Sequence, residues 1–89
     1  MFIFVYTLVW IGGDLPKAFV LINAEMGAEA NVLKAASSIP EVKEAHLVYG
    51  VYDIITMVEA ATMQELKDAI SWKIRRIEKV RSTITMIVI

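Results

Sequence analysis

Two apolar stretches meet at Leu47-Val48-Tyr49-Gly50-Val51-Tyr52-Asp53-Ile54-Ile55, with a glycine and a carboxylate between them. Glycine allows backbone angles and a close approach that a side chain would block. An acidic group near the amides and carbonyls of strand ends could hold the charged end of a small molecule. Because glycine and aspartate are also ordinary turn residues, a tight hairpin that Asp53 only caps is the alternative. The stretch predicts a hairpin and a candidate ligand site beside it.

The segments around this hairpin alternate between strand and helix patterns. Residues 18–23 form a continuous apolar run of strand length, and residues 28–39 gather their apolar side chains on one helical face. Pro40 ends that helix. Residues 41–49 and 53–60 then predict two antiparallel strands joined through Gly50.

A second helix and a last strand complete the pattern. Thr62 and Glu65 form a capping box at the start of the helix. Trp72 projects away from the apolar stripe of this helix, which predicts a contact between subunits, with chance exposure as the alternative. The expected core stripe consists of Met63, Leu66, Ile70, Ile74 and Ile77. In the last strand one face carries Ile84, Met86 and Val88, and the other carries Thr83, Thr85, Ile87 and Ile89.

The order strand, helix, strand, strand, helix, strand is the split βαβ plan of a ferredoxin-like α+β fold. Both helices then cover one face of a four-stranded sheet, and the other face stays bare. We expect Val48, Ile87 and Ile89 on the bare face. Because 57% of the chain is apolar, against about 45–50% in ordinary domains, dimerisation from sheet to sheet is expected.

Composition excludes several functional classes. The formal net charge of −1 gives no reason to bind nucleic acid, so no direct DNA binding is expected. The chain has no cysteine, and His46 is its single histidine, so we expect neither a metal site nor a cofactor. The basic run 73–81 could form an anion patch, but cations at the carboxyl end of a helix are the simpler interpretation.

Residues 1–11 contain no charged side chain. They are too short for a membrane span and lack the features of a secretory signal, so no membrane partner and a cytoplasmic location are expected. They predict either a strand that pairs with a neighbouring subunit or an extension. Residues 1–16 are thus interpreted as an apolar strand with a hinge, and residues 17–89 as the domain.

Three motifs resemble one known family. Residues 40–45, Pro-Glu-Val-Lys-Glu-Ala, residues 50–53, Gly-Val-Tyr-Asp, and residues 81–85, Arg-Ser-Thr-Ile-Thr, resemble the RAM effector domain of the leucine-responsive regulatory protein (Lrp/AsnC) family. The resemblance runs from about residue 18 to residue 89. Members of that family usually carry a helix-turn-helix DNA-binding domain before this module. Because residues 1–16 leave no room for such a domain, we expect a stand-alone RAM domain.

The resemblance implies a partner, an assembly and a site. It implies dimers that form through their sheets and assemble further into octamers or decamers, with amino-acid effectors bound between dimers near the glycine turn. Asp53 would attract an ammonium group, and His46 either lines the site or is a hydrogen-bonded structural histidine. Residues that match the family's turn motif are Tyr49, Gly50, Tyr52 and Asp53, and those that match polar positions of the last strand are Thr83 and Thr85.

The expected function is a non-enzymatic, amino-acid-sensing module that modulates transcription through full-length, DNA-binding relatives. Two other classes remain open at this point. One is a ferredoxin-like dimeric monooxygenase, against which stands the lack of convergent acid, base or nucleophile beyond one histidine. The other is a purely structural partner that co-assembles with regulators without sensing a ligand.

Overall fold

A computed structural model describes residues 15–89 of the chain. The interpretation of residues 1–11 as a strand, and most of the hinge that follows, lies outside these residues. The elements in chain order are β1 (Lys17–Ala24), α1 (Glu29–Ser37), β2 (Val42–Leu47), β3 (Ile54–Glu59), α2 (Met63–Asp68), a π-helix (Ala69–Ile74) that continues α2, and β4 (Val80–Ile87). The order confirms the predicted ferredoxin-like α+β fold.

The four strands form one antiparallel sheet in the order β2-β3-β1-β4. Strand β1 lies inside the sheet and pairs with β3 on one side and β4 on the other. In β1 and β3 every second residue is buried, because alternate side chains of a strand point to opposite faces. β2 is shorter than its predicted range, and an irregularity between Val42 and Glu44 shifts its register with β3.

One face of the sheet packs against both helices and forms the core. Its fully buried side chains include Ile22 and Ile54 from the sheet and Leu66 and Ile74 from the second helical segment. The buried hydroxyl of Thr56 donates a hydrogen bond of 3.0 Å to the carbonyl of Val20. That bond satisfies the one buried polar side chain among residues 15–89, which would otherwise destabilise the core.

The first helix agrees with its predicted pattern. Val32 and Ala36 are buried on its inner face, and Ser37 is its last residue, three positions before Pro40. The turn before it contains Gly27 at φ +88°, a conformation that favours glycine. The amide of Gly27 donates to Oε1 of Glu29 at 3.1 Å, which ties the first side chain of α1 to the turn.

The second helix begins as predicted and then departs from α-helical geometry. The hydroxyl of Thr62 accepts a hydrogen bond from the amide of Glu65 at 3.1 Å, which confirms the N-cap. Past Asp68 the helix becomes a π-helix, in which backbone hydrogen bonds span five residues instead of four. The amide of Arg75 accordingly donates to the carbonyl of Ile70. The predicted core stripe assumed 3.6 residues per turn. It holds for Leu66, Ile70 and Ile74, but misses the buried Ala69 and wrongly includes Met63, which is 40% exposed.

The bare face of the sheet is occupied by different residues from those expected. Ile87 pairs with Ala18, which is buried on the helix side, so its predicted position on the bare face is wrong. Residues paired directly across two antiparallel strands share a face, and the register sets which face that is. Val48 and Ile89 lie just beyond the strands. The large apolar residues of the bare face, here called the open face, are Phe19, Leu21, Ile55, Met57, Ile84 and Met86.

One ion pair joins the π-helix to the start of β2. Nζ of Lys73 lies 3.0 Å from Oε1 and 3.1 Å from Oε2 of Glu41. The hydrogen bond from Lys73 is the main reason that the pKa of the Glu41 carboxyl is lowered from its usual 4.5. The Lys73 side chain is half exposed, so solvent screens the attraction.

We expect Glu41→Gln to reduce the free energy of unfolding by about 0.5 kcal/mol at neutral pH, the size of a favourable partly exposed ion pair. Because folding lowers the pKa of Glu41, its contribution is present above the unfolded pKa and is lost as pH falls through the folded pKa. The difference between wild type and variant, measured by urea denaturation at several pH values, should vanish in acid. Glu78→Gln, which removes an exposed carboxylate, is the control, and an equal, pH-independent loss in both variants would contradict this account.

Candidate ligand-binding site

Several chain segments meet at one end of the sheet. Strand β1 ends there at Ala24, the loop of residues 48–53 joins β2 to β3 there, and β4 begins there at Val80. Ala24 pairs with Val80 across an irregularity in the β1–β4 register. The same end contains the start of α1, since only the turn of residues 25–28 separates it from β1. Two clefts open between these segments.

The first cleft has a volume of about 410 Å³ and is mostly apolar. We call it the apolar cleft. Its lining residues are Glu29, Leu47, Val48, Tyr49, Gly50 and Asp53.

The second cleft has a volume of about 390 Å³, and we call it the polar cleft. Its lining residues are Asn23, Ala24, Met26, Glu29, Val51, Asp53, Arg81 and Ser82. Asp53 and Glu29 line both clefts. These two residues are therefore shared by the clefts.

Asp53 attaches the β2–β3 loop to the end of β1. Its Oδ2 accepts a hydrogen bond of 2.9 Å from the amide of Ala24, and its own amide donates to the carbonyl of Ile22 at 3.0 Å. Its carbonyl accepts from the amide of Val48 at 2.8 Å, which closes the hairpin. Asp53 thus does more than cap a turn, because its side chain reaches a neighbouring strand. Among residues 15–89, its Oδ1 accepts no hydrogen bond from the protein.

Gly50 adopts φ +151° in the loop, a conformation that side chains rarely adopt. A Cβ added at this residue would meet no atom within 4 Å. The backbone angle, and not close packing, therefore explains the glycine. The space beside it is open to the apolar cleft.

The structure brings together only part of the predicted site. Tyr49, Gly50 and Asp53 line the apolar cleft, whereas Tyr52 is half-buried and lines neither cleft. The predicted strand threonines and the predicted histidine lie elsewhere. Thr83 and Thr85 pair with Ile22 and Val20 on the helix side of β4, outside both clefts.

His46 also lies apart from the clefts. It is exposed, pairs with Ile55 on the open face, and its Nε2 lies 3.3 Å from Oε1 of Glu44. The geometry favours the alternative of a hydrogen-bonded structural histidine.

Sequence reasoning missed the polar and charged residues that line the polar cleft with Asp53, which are Asn23, Glu29, Arg81 and Ser82. The sequence pattern groups Arg81 with the basic run at the end of the helix, whereas in the structure it is the second residue of β4. Ser82 pairs with Asn23, and Nδ2 of Asn23 donates to its hydroxyl at 3.4 Å. The sequence signal available was the position of Arg81 and Ser82 at the start of a strand, and the sheet order then brings that start beside the end of β1.

Two further observations limit the chemistry of the part described. No group of three or more histidine, cysteine, aspartate or glutamate side chains among residues 15–89 is placed to hold a metal ion. Within the same residues, no helix has the length and apolar character required to cross a bilayer. The clefts offer charges, hydrogen-bond partners and apolar walls, which suits binding of a small molecule.

Comparison with known proteins identifies the family that the chain resembles. Residues 17–89 match the family model described as the Lrp/AsnC ligand binding domain. An uncharacterized HTH-type transcriptional regulator from Pyrococcus furiosus is 36% identical over 73 residues, which cover 79% of this chain and 49% of that protein. The chain thus spans about half the length of the curated relatives it matches.

Solved structures of proteins from the same family share the fold of this chain. The crystal structure of FFRP-DM1 matches with a TM-score of 0.80 and 41% identity, covering 84% of this chain and 100% of that chain. The structure of AsnC from Escherichia coli matches with a TM-score of 0.79 and 25% identity, covering 94% of this chain and 60% of that chain.

The bonds of Asp53 predict a stability difference between two substitutions. Asp53→Ala leaves the part-buried amide of Ala24 without its acceptor and should lower the free energy of unfolding by about 1–3 kcal/mol. Asp53→Asn retains a side-chain oxygen that can accept this bond, so its loss should be clearly smaller. Urea denaturation followed by circular dichroism measures both. Equal losses in the two variants would show that the Oδ2 bond does not hold the loop.

Proposed function

Since the chain belongs to the family of Lrp/AsnC ligand-binding domains, we propose that it is an effector module that binds small amino acids and modulates transcription. The resemblance noted in the sequence is confirmed by the match over residues 17–89. Its homologues are HTH-type transcriptional regulators, so a regulatory rather than enzymatic role follows the family. Because the family model matches residues 17–89, we propose that the domain begins at residue 17. Residues 1–16 are then proposed to be an N-terminal strand and hinge.

The observation that carries the ligand proposal is the position of Asp53 and Glu29 between two clefts. An amino acid brings an ammonium group, and ionised carboxylates are the strongest partners for it. The clefts are of a size suited to a small molecule. Tyr49 and Gly50, from the family's turn motif, form the wall beside Asp53. We propose this position, and not the strand threonines Thr83 and Thr85, as the main contact for the effector.

The open face supports association of the module with further copies. Its six large apolar residues, among them Phe19, Ile84 and Met86, lie on a face that the two helices leave uncovered. Exposed apolar patches of this kind mark interfaces. We propose a homodimer that meets through the open face and assembles further into an octamer or decamer. Trp72, 60% exposed with the guanidinium of Arg76 4.6 Å from its ring centroid, is proposed as a contact between dimers.

The module would act through relatives that carry a DNA-binding domain. The chain covers 100% of the solved FFRP-DM1 chain, which supports a module of this length as a unit. With a net charge of −1 it is proposed not to bind DNA itself. We propose a cytoplasmic location, where mixed oligomers with full-length regulators would transmit the effector signal. This role requires neither catalysis, a cofactor, nor a membrane.

Isothermal titration with a panel of amino acids tests the ligand proposal. We expect saturable heat with at least one amino acid, and affinity at least about tenfold lower in Asp53→Asn, because a lost charge-assisted bond costs about 1.5–3 kcal/mol. Glu65→Gln, which removes an exposed carboxylate outside both clefts, should bind as wild type does. Absence of binding by every amino acid, together with mixed oligomers formed with an HTH relative, would instead support a structural partner without a sensor role.

Light scattering after size-exclusion chromatography tests the assembly. Ile84→Asp places a charge on the open face and should yield monomers, since a buried unpaired charge is strongly unfavourable. Trp72→Ala should lose the higher oligomer and keep the dimer. A wild-type chain that is a stable monomer in dilute solution would contradict the first expectation, and an unchanged oligomer in Trp72→Ala would contradict the second.

A further inference from the structure

The two edges of the sheet are protected to different degrees. At one edge β2 contains Lys43, Glu44 and His46, and an irregularity shifts its register with β3. Charged side chains and irregular pairing keep an edge strand from pairing with another segment. At the other edge β4 has neither feature beyond Arg81, since Ser82–Ile89 contains no charged side chain and no proline, and its pairing with β1 is regular. The edge of β4 is therefore open to a further strand.

The register identifies the backbone groups of β4 that lie at this edge. The amide of Val88 donates to the carbonyl of Lys17 at 2.9 Å, so these two residues form a hydrogen-bonded pair. In an antiparallel ladder such pairs recur at every second residue, which directs the amides of Ile84 and Met86 to β1. The amides that point away from β1, here called the edge amides, are those of Thr83, Thr85 and Ile87. Among residues 15–89 no strand pairs with this edge.

A segment with the composition of a strand precedes the described part of the chain. Residues 2–10, Phe-Ile-Phe-Val-Tyr-Thr-Leu-Val-Trp, consist of aromatic, β-branched and other apolar types and carry no charge. The family model begins at residue 17, so this segment lies outside the matched domain. Its composition and that of Ser82–Ile89 are alike, and both favour pairing with another strand.

We propose that residues 2–10 add to the edge of β4 in the same chain as a fifth strand of the sheet. The chain enters β1 beside the end of β4, because Ala18 pairs with Ile87. Residues 12–16 connect the segment to β1, and Gly12 and Gly13 allow the chain to reverse there. An extended chain covers about 3.3 Å per residue and neighbouring strands lie about 4.8 Å apart, so this hinge is long enough to pass β4.

The attachment also sets the direction and the identity of the strand. The hinge holds the carboxyl end of the segment near the start of β1, where β4 ends. Residues 2–10 therefore run parallel to β4. A short flexible linker holds the segment at an effective concentration of about millimolar, which favours it over a segment from a separate copy in dilute solution.

The added strand has a consequence for the open face. Alternate side chains of a strand point to opposite faces, and both sets in this segment are apolar or aromatic apart from one threonine. One set consists of Phe2, Phe4, Tyr6, Leu8 and Trp10, and the other of Ile3, Val5, Thr7 and Val9. Either set widens the apolar surface beside Ile84 and Met86. The segment thus covers an edge that could aggregate and enlarges the surface for the proposed dimer.

Hydrogen exchange of the full 89-residue chain, followed amide by amide by NMR, tests the proposal. The edge amides should be protected in the wild type. Adjacent residues of a strand direct their amides to opposite sides, so either Phe4 or Val5 donates to β4 in any register. The double variant Phe4→Pro/Val5→Pro removes that donor, and the edge amides should exchange at least about tenfold faster, as expected for loss of an edge hydrogen bond.

The control is Phe4→Tyr/Val5→Ile, which keeps strand-forming residues and should exchange as the wild type does. The amides of Ile84 and Met86, which donate to β1, should stay protected in all three proteins and report that the domain remains folded. Rapid exchange of the edge amides in the wild type overturns the proposal. Protection that survives the two prolines also overturns it, because another copy would then occupy the edge.

A second measurement needs only the wild-type chain. Nuclear Overhauser contacts between residues 2–10 and residues 83–87 should appear in a uniformly labelled sample. In a sample that mixes labelled and unlabelled chains, an experiment filtered for contacts between chains should not show them. Contacts that pass the filter would assign the segment to a neighbouring subunit, and a lack of contacts in both samples would leave β4 without this strand. Either result overturns the proposal.

Discussion

Asp53 attaches the β2–β3 loop to the end of the central strand β1, and the position of both clefts depends on that attachment. Its side chain and backbone bond to Ala24, Ile22 and Val48. The loop contains Gly50 in a conformation unfavourable for other residues. One carboxylate thus attaches the loop to β1, and among residues 15–89 its second oxygen accepts no hydrogen bond.

The same central strand explains why the sheet has one bare face. β1 pairs on both sides, and both helical connections return to the face that carries Val20 and Ile22. The opposite face keeps large apolar side chains such as Phe19 and Met86 without cover from the described residues. A short chain has too little surface to enclose two cores. The proposed self-association would cover this face.

Errors in the sequence interpretation have identifiable physical causes. Alternation showed correctly that Ile84 and Met86 share one face and Ile87 the other, but it could not tell which face the helices cover. That choice depends on the register with β1, where Ile87 lies beside the buried Ala18. The apolar stripe of the second helix was followed with 3.6 residues per turn, and the π-helix altered the positions after Asp68. Neither a register nor a π-turn leaves a clear local signal.

Local patterns of the sequence determined the order of strands and helices, the N-cap at Thr62, the glycine turn, and the family resemblance. Each of these depends on neighbouring residues and on simple periods of two or 3.6. Only the tertiary structure decided that Arg81 and Glu29 join Asp53 at one site while His46, Thr83 and Thr85 do not. These residues are far apart in the chain, and their proximity results from the strand order β2-β3-β1-β4 and from hydrogen bonds formed across it. Long-range pairing of this kind is a property of the whole sheet, which no single segment encodes.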